Sequence, residues 1–291
     1  MMKHMVGPKF KRAAGSITEL RKLEQLILKN QKIPVGTEIS PVQIADIPAE
    51  WVRAPAVRKE RVILFLHGGA FVMGSPATHR ELAALLSASA GAAVLVPDYH
   101  LAPEHPFPAA MHDAVDAYRW LMDQGYTEKQ VTMGGDSAGG GLALQALIAL
   151  RDDGTPLPAA AFFLSPVTDW VRFDGESYAS RTRVDPFNTL ELCRFTASHY
   201  VGHNDPETRL LYPTDIDLSG LPPLCIHVGD CEVLLSDAER FAERARACHV
   251  HVEFKVWQGM WHAFQTGARF VPEARRSLQE IGRFIIKRAE S

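Results

Sequence analysis

From Trp51 to the end of the chain, short apolar runs alternate with stretches of helical periodicity, and this alternation restricts the fold more than any other feature. The runs Val62 to Leu66, Ala93 to Pro97, Val131 to Met133, Ala159 to Leu164, Leu224 to Val228 and Val250 to Val256 read as strands. Arg80 to Ala90, Met111 to Asp123, Ala138 to Arg151, Leu235 to Ala247 and Pro272 to Arg288 read as helices between and after them. Strands joined through helices pair in parallel, with the helices covering the faces of the sheet. The pattern predicts an α/β protein with a mostly parallel central sheet flanked by helices. With 291 residues, 46% of them apolar, the chain can bury one large core as a single domain.

Two segments stand outside the alternation. Ser16-Ile17-Thr18-Glu19 has the form of a capping box, and Leu20, Leu23 and Ile27 then share one helical face, which predicts an amphipathic helix ahead of the sheet. Between Ser165 and Pro223, Trp170, Phe173, Tyr178, Pro186, Phe187, Tyr200 and Tyr212 mix with charged residues and no strand signal recurs. An excursion of that length in a wound sheet reads either as a lid or binding wall over the carboxyl ends of the strands, or as a surface elaboration that only packs.

The chemistry is signalled at Gly135-Asp136-Ser137-Ala138-Gly139, directly after the strand run Val131 to Met133 and directly before a helix. A serine hydroxyl becomes an effective nucleophile when it is held clear of the backbone, beside a base and near oxyanion donors. A sharp strand-to-helix turn supplies the first condition, and the helix N-terminus aims free N–H groups at a reacting carbonyl. His262, in a loop between the last strand and the last helix, is placed to serve as the base. Asp230, Glu232 and Asp237 all follow the run Leu224 to Val228 and compete for the acid that would orient it; spacing does not choose among them. His67-Gly68-Gly69-Ala70, after Val62 to Leu66, offers the second loop of an oxyanion hole.

Together with the run Asp98-Tyr99-His100-Leu101-Ala102-Pro103-Glu104, these motifs resemble the hormone-sensitive-lipase-like esterases, a bacterial branch of the α/β-hydrolases, from about Trp51 to the end. The resemblance implies the α/β-hydrolase fold and a carboxylic ester hydrolase for short- to medium-chain acyl esters. It makes Ser137 the nucleophile and His262 the base, with Gly68, Gly69 and Ala138 as oxyanion donors. The family's acid heads an Asp-Pro-Leu-Leu-Asp-Asp-like segment. Here that segment reads Glu232-Val233-Leu234-Leu235-Ser236-Asp237, which assigns the acid to Glu232 with glutamate and valine as departures. Ala70 stands where the family carries a third glycine, and a backbone with negative φ is expected there. Asp136, Glu104 and His67 are read as structural.

The family's cap maps onto residues 1–45 and about 165–223, the catalytic domain being 46–291 with that insert. Phe71, Trp170 and Phe187 are the aromatic candidates for the substrate pocket. Lactone or amide hydrolysis would use the same three groups, and a small-molecule receptor on the same fold would lack the catalytic histidine. No metal or organic cofactor is called for. The formal net charge of −3 gives no basic field to draw the chain to nucleic acid or a membrane surface, and suits a small ester. Four cysteines without a CxxC pair suggest reduced thiols. Lys3, Lys9, Lys11 and Arg12 are followed by no apolar signal region, so a cytoplasmic protein is expected. The resemblance is compatible with a homodimer.

Overall fold

The computed structural model describes residues 7–13, 15–205 and 208–289. The chain opens with α1 (Gly7–Ala13), α2 (Ile17–Asn30) and a hairpin, β1 (Glu38–Ile44) and β2 (Ile47–Arg53). Then come β3 (Arg58–Leu66), α3 (Pro76–Ala90), β4 (Ala92–Pro97), α4 (Ala109–Asp123), β5 (Val131–Asp136), α5 (Ala138–Asp152) and β6 (Ala160–Leu164). An insertion carries α6 (Glu176–Ser180) and α7 (Leu190–Val201), and β7 (Leu224–Gly229), α8 (Leu235–Ala247), β8 (Val252–Trp257) and α9 (Pro272–Ala289) complete the fold.

The strands form one eight-stranded sheet in the order β1-β2-β4-β3-β5-β6-β7-β8, parallel from β4 to β8. Every residue of β4, β5, β6 and β7 is buried, as expected for strands covered on both faces. One face packs on α4, α5 and α8 through residues such as Tyr118, Leu144 and Phe241, the other on α3 and α9 through Leu86 and Ile281. After β3 the chain turns outward to β4, then crosses back to β5 on the other side. The carboxyl ends of β3 and β5, paired at Leu66 and Gly135, therefore flank the crevice where open α/β sheets bind ligands.

The N-terminal hairpin has no counterpart in the sequence reading. Pro41 and Pro48 interrupt its strands, and its two-residue turn, Ala45-Asp46, lacks the usual glycine or asparagine although Ala45 takes φ +48°. Residues 38–44, within the segment 1–45, are thus an antiparallel edge strand, where proline is tolerated; residues 1–6 and 14 of that segment lie outside the described residues. The predicted helix after Ser16 is present as α2, with the Ser16 hydroxyl accepting the Glu19 N–H at 3.3 Å. The reciprocal half of the capping box is not made, because Ser16 N–H donates to Ala13 and the Glu19 carboxylate turns to Lys22.

The helices α1 and α2 and the insertion meet above the sheet. Phe10 lies edge-on to Phe187 with ring centroids 6.0 Å apart, and Lys11 donates to the Thr182 carbonyl at 3.3 Å. Arg21 ties α2 to the loops beneath, donating to the carbonyls of Val72 and Ala102 and to both oxygens of Glu104. No helix among the described residues is long and apolar enough to cross a membrane.

Candidate active site

Ser137 sits between β5 and α5 with φ +54° and ψ −121°. For a residue with a Cβ this conformation costs roughly 1–3 kcal/mol, and it thrusts the side chain out of the turn. The turn closes only because of its glycines. A Cβ on Gly135 would lie 2.4 Å from the Leu66 carbonyl oxygen, and one on Gly139 would lie 2.1 Å from the same atom.

The Ser137 hydroxyl stands 2.9 Å from His262 Nε2, and His262 Nδ1 stands 2.9 Å from Glu232 Oε2. With Nδ1–H donating to the carboxylate, Nε2 is left as the acceptor for the serine proton. Burial pulls the His262 pKa down. The hydrogen bond and charge of Glu232 outweigh it, with help from Asp185 and Asp136, so the imidazole is held above its ordinary value. Glu232 is fully buried, and its second oxygen accepts from Gly229 N–H at 2.6 Å and from the Ser165 hydroxyl at 2.8 Å. Of the three competing carboxylates this is the one that reaches the imidazole; the longer glutamate side chain spans the gap from a backbone three residues past the end of β7.

Asp230 accepts the Gly259 N–H at 2.6 Å and caps the loop that carries His262. Asp237 is buried on α8, accepting from Thr168 N–H at 3.1 Å and the Tyr178 hydroxyl at 3.2 Å. Burial raises its pKa to about 7, partly offset by the Thr168 hydrogen bond. Because the folded-state value lies above the unfolded one, the folded chain holds the extra proton between about pH 4 and 7, and stability falls as pH rises through that window. Asp237→Asn should therefore flatten the pH dependence of stability. We expect its Tm to exceed the native one by a few degrees at pH 8, on a scale of roughly 2–4 °C per kcal/mol, with the difference vanishing near pH 4 and ester turnover little changed. Thermal melts across pH check this, and a loss of turnover like that expected of the triad acid would contradict it.

The oxyanion loop departs from the sequence reading at two places. Gly68 was a proposed donor, but its N–H is already committed to Asp136 Oδ1 at 2.9 Å. The N–H groups of Gly69, Ala70 and Ala138 carry no such bond among the described residues. Ala70 has φ +54°, not the expected negative value. The reason is the tight turn around it, in which Val72 and Met73 N–H both donate to the Gly69 carbonyl, and the Cβ there costs roughly 1–2 kcal/mol.

A cavity of about 540 Å³ opens above Ser137, His262, Gly69 and Ala70, with Leu20 and Ile27 of α2 on one side and Trp170, Phe187 and Leu192 of the insertion on the other. Phe71 does not line it. Its ring is buried in a stack on Tyr200 with centroids 3.6 Å apart, and edge-on to Trp170, so it packs the insertion onto the core. His67 is likewise structural. Burial holds its pKa down to about 3, its ring stacks on Tyr99, and its Nδ1 meets the Gly68 carbonyl at 2.9 Å.

Two residues of the site were not found from sequence. Ser165, at the carboxyl end of β6, donates to Glu232 and accepts from Ala263 N–H at 3.0 Å, joining Glu232 to the loop that carries His262. Asp185, fully buried in the insertion, accepts from Phe187 and Asn188 N–H with one oxygen and from Val233 N–H with the other. It thus fastens a pocket residue to the residue after Glu232. The position of Ser165 beside the carboxyl ends of β5 and β7 was the one available signal; Asp185 had none.

Comparison with known proteins agrees with this geometry. Residues 63–266 match the family described as alpha/beta hydrolase fold. An acetyl-hydrolase of Streptomyces hygroscopicus is 44% identical over 257 residues, covering 88% of this chain and 84% of that protein. An esterase of Acinetobacter venetianus is 35% identical, covering 85% of this chain and 81% of that protein. The crystal structure of an esterase from the bacterial hormone-sensitive lipase family superposes with a TM-score of 0.90 at 40% identity, covering 97% of this chain and 98% of that one. The chain belongs to the α/β-hydrolase fold family, within its hormone-sensitive-lipase-like branch of esterases.

Proposed function

We propose that this carboxylic ester hydrolase works by two-step acyl transfer on Ser137. His262 takes the serine proton as the hydroxyl attacks the ester carbonyl, and Glu232 stabilises the imidazolium that forms. The oxyanion develops against the N–H groups of Gly69, Ala70 and Ala138, Ala70 taking the place first given to Gly68. His262 returns its proton to the departing alcohol, and a water molecule then releases the acid by the same route. The observation that carries this reading is the unbroken hydrogen-bonded chain Glu232–His262–Ser137 at the floor of an apolar cavity.

In this reading residues 1–45, as far as Asn30, and the insert of about 165–223 act as the cap, with the rest of 46–291 as catalytic domain. Trp170 and Phe187 contact the substrate. A cavity of about 540 Å³ suits short- to medium-chain acyl esters. The four cysteines, none in a disulfide among the described residues, suit a cytoplasmic enzyme, and a homodimer is the assembly to seek by light scattering. Hydrolysis of p-nitrophenyl esters from acetate to dodecanoate tests the substrate class. Turnover should peak at short to medium chains and fall steeply by dodecanoate; a folded protein inert on the whole series would refute it.

A further inference from the structure

The site contains a second titratable pair that the acyl-transfer steps do not use. Asp136, the residue before Ser137, is buried, and its Oδ1 lies 3.4 Å from Nε2 of His79 in the first turn of α3. On the other side of the ring, His79 Nδ1 faces the Thr78 hydroxyl at 2.8 Å and the Ser75 carbonyl at 3.3 Å. Both ring nitrogens thus face acceptors, the arrangement a doubly protonated imidazole requires. The surrounding groups act in the same direction. Burial lowers the His79 pKa, but Asp136, the Ser75 carbonyl and Glu24 of α2 outweigh it and the net shift is upward. Asp136, although buried, is held below its ordinary value by His79 and the Gly68 N–H. His67, stacked on His79, stays neutral.

The pair touches the reacting centre from behind. Asp136 Oδ1 accepts the Gly68 N–H and so fixes the loop whose next two residues, Gly69 and Ala70, line the cavity. Its charge also reaches His262 and favours the imidazolium. The same negative charge, left bare, would oppose an oxyanion forming beside the loop, and in a water-poor pocket that repulsion is weakly screened. A cation on Asp136 removes the repulsion while leaving the Gly68 hydrogen bond in place.

We propose that His79 is a positioning residue of the ester-hydrolysing site: as an imidazolium paired with Asp136, it holds the oxyanion loop through Gly68 and cancels the carboxylate charge facing the oxyanion. The proposal rests on Ser137 as nucleophile. It is tested with kcat and KM for p-nitrophenyl butyrate in His79→Gln, Asp136→Asn and the double variant, each checked for native circular dichroism. His79→Gln should lower kcat about 10²-fold, the scale of one oxyanion donor, with KM changed less than about 3-fold. Asp136→Asn keeps an acceptor for Gly68 N–H and should lose less than about 10-fold. The double variant should be more active than His79→Gln alone, because no uncompensated carboxylate remains. Losses that simply multiply, or a loss confined to KM, would overturn the charge-cancelling role and leave His79 as packing. Should His79→Gln fail to fold, ¹⁵N NMR of the histidine-labelled native chain decides. A His79 ring protonated on both nitrogens at pH 7.5 supports the proposal, and a neutral ring at that pH overturns it. Full activity of His79→Gln alongside an inactive Ser137→Ala would sink this inference alone, whereas an active Ser137→Ala would sink the acyl-transfer reading.

Discussion

Ser137→Ala is expected to lower kcat/KM for p-nitrophenyl butyrate by about 10⁴-fold or more while leaving the fold intact. The hydroxyl stands 2.9 Å from His262 Nε2, and the variant removes that oxygen, the attacking atom of the proposed route. Alanine retains the Cβ and hence the backbone strain of the turn, and stability should change by less than about 1 kcal/mol. Residual catalysis would come from the oxyanion N–H groups acting on an attacking water. Initial rates with a parallel thermal melt decide the matter; native turnover in a protein of native Tm would rule out the acyl-serine route.

Glu232→Gln should cost about 10³ to 10⁴ in kcat/KM and should also move the pH profile. The carboxylate accepts three hydrogen bonds, from His262, Gly229 and Ser165, which a single amide oxygen cannot reproduce from both ends. An amide NH₂ turned to His262 drives the ring into the tautomer that donates from Nε2, and the serine proton then has no acceptor. The native imidazole is held above its ordinary value by Glu232, so the acid limb of kcat/KM should lie above about pH 6.5, activity falling as the base becomes protonated. Without that charge, burial dominates and the limb moves to lower pH. Asp230→Asn, which keeps an acceptor for Gly259 N–H, should show neither effect. A profile unmoved in Glu232→Gln, or a comparable loss in Asp230→Asn, would reassign the acid.

The parts legible in the sequence were those dictated by local pattern. Fully buried strands such as Val62 to Leu66, amphipathic helices such as Leu235 to Ala247 and the glycines around Ser137 each carry their cause within a few residues. Ser137, Glu232 and His262, singled out by motif and chain order, are brought into one hydrogen-bonded chain. What was not legible depended on distant partners. Gly68 loses its N–H to a residue 68 positions on, Phe71 is claimed by Tyr200, and Ala70 is forced into a positive φ by a turn rather than by its own preference. The hairpin was hidden because proline speaks against a strand: Pro41 is tolerated on β1 at the sheet edge and Pro48 just ahead of the β2–β4 pairing, positions that the sequence alone did not define.

The cavity is walled by residues far apart in sequence, Leu20 and Ile27 from α2 and His262 and Phe270 from beyond β8. Synthesis makes α2 before the insertion, so its apolar face forms ahead of the partners that cover it. Until they are made that face has nothing to cover it, and exposed apolar surface of this kind favours aggregation. His262 follows Ser137 by 125 residues and lies beyond β8, so the hydroxyl and the imidazole meet only after every strand of the sheet has been made. A chain cut before His262 keeps Ser137 but has no imidazole beside it, so hydrolysis by the proposed route is expected only once that last loop is in place.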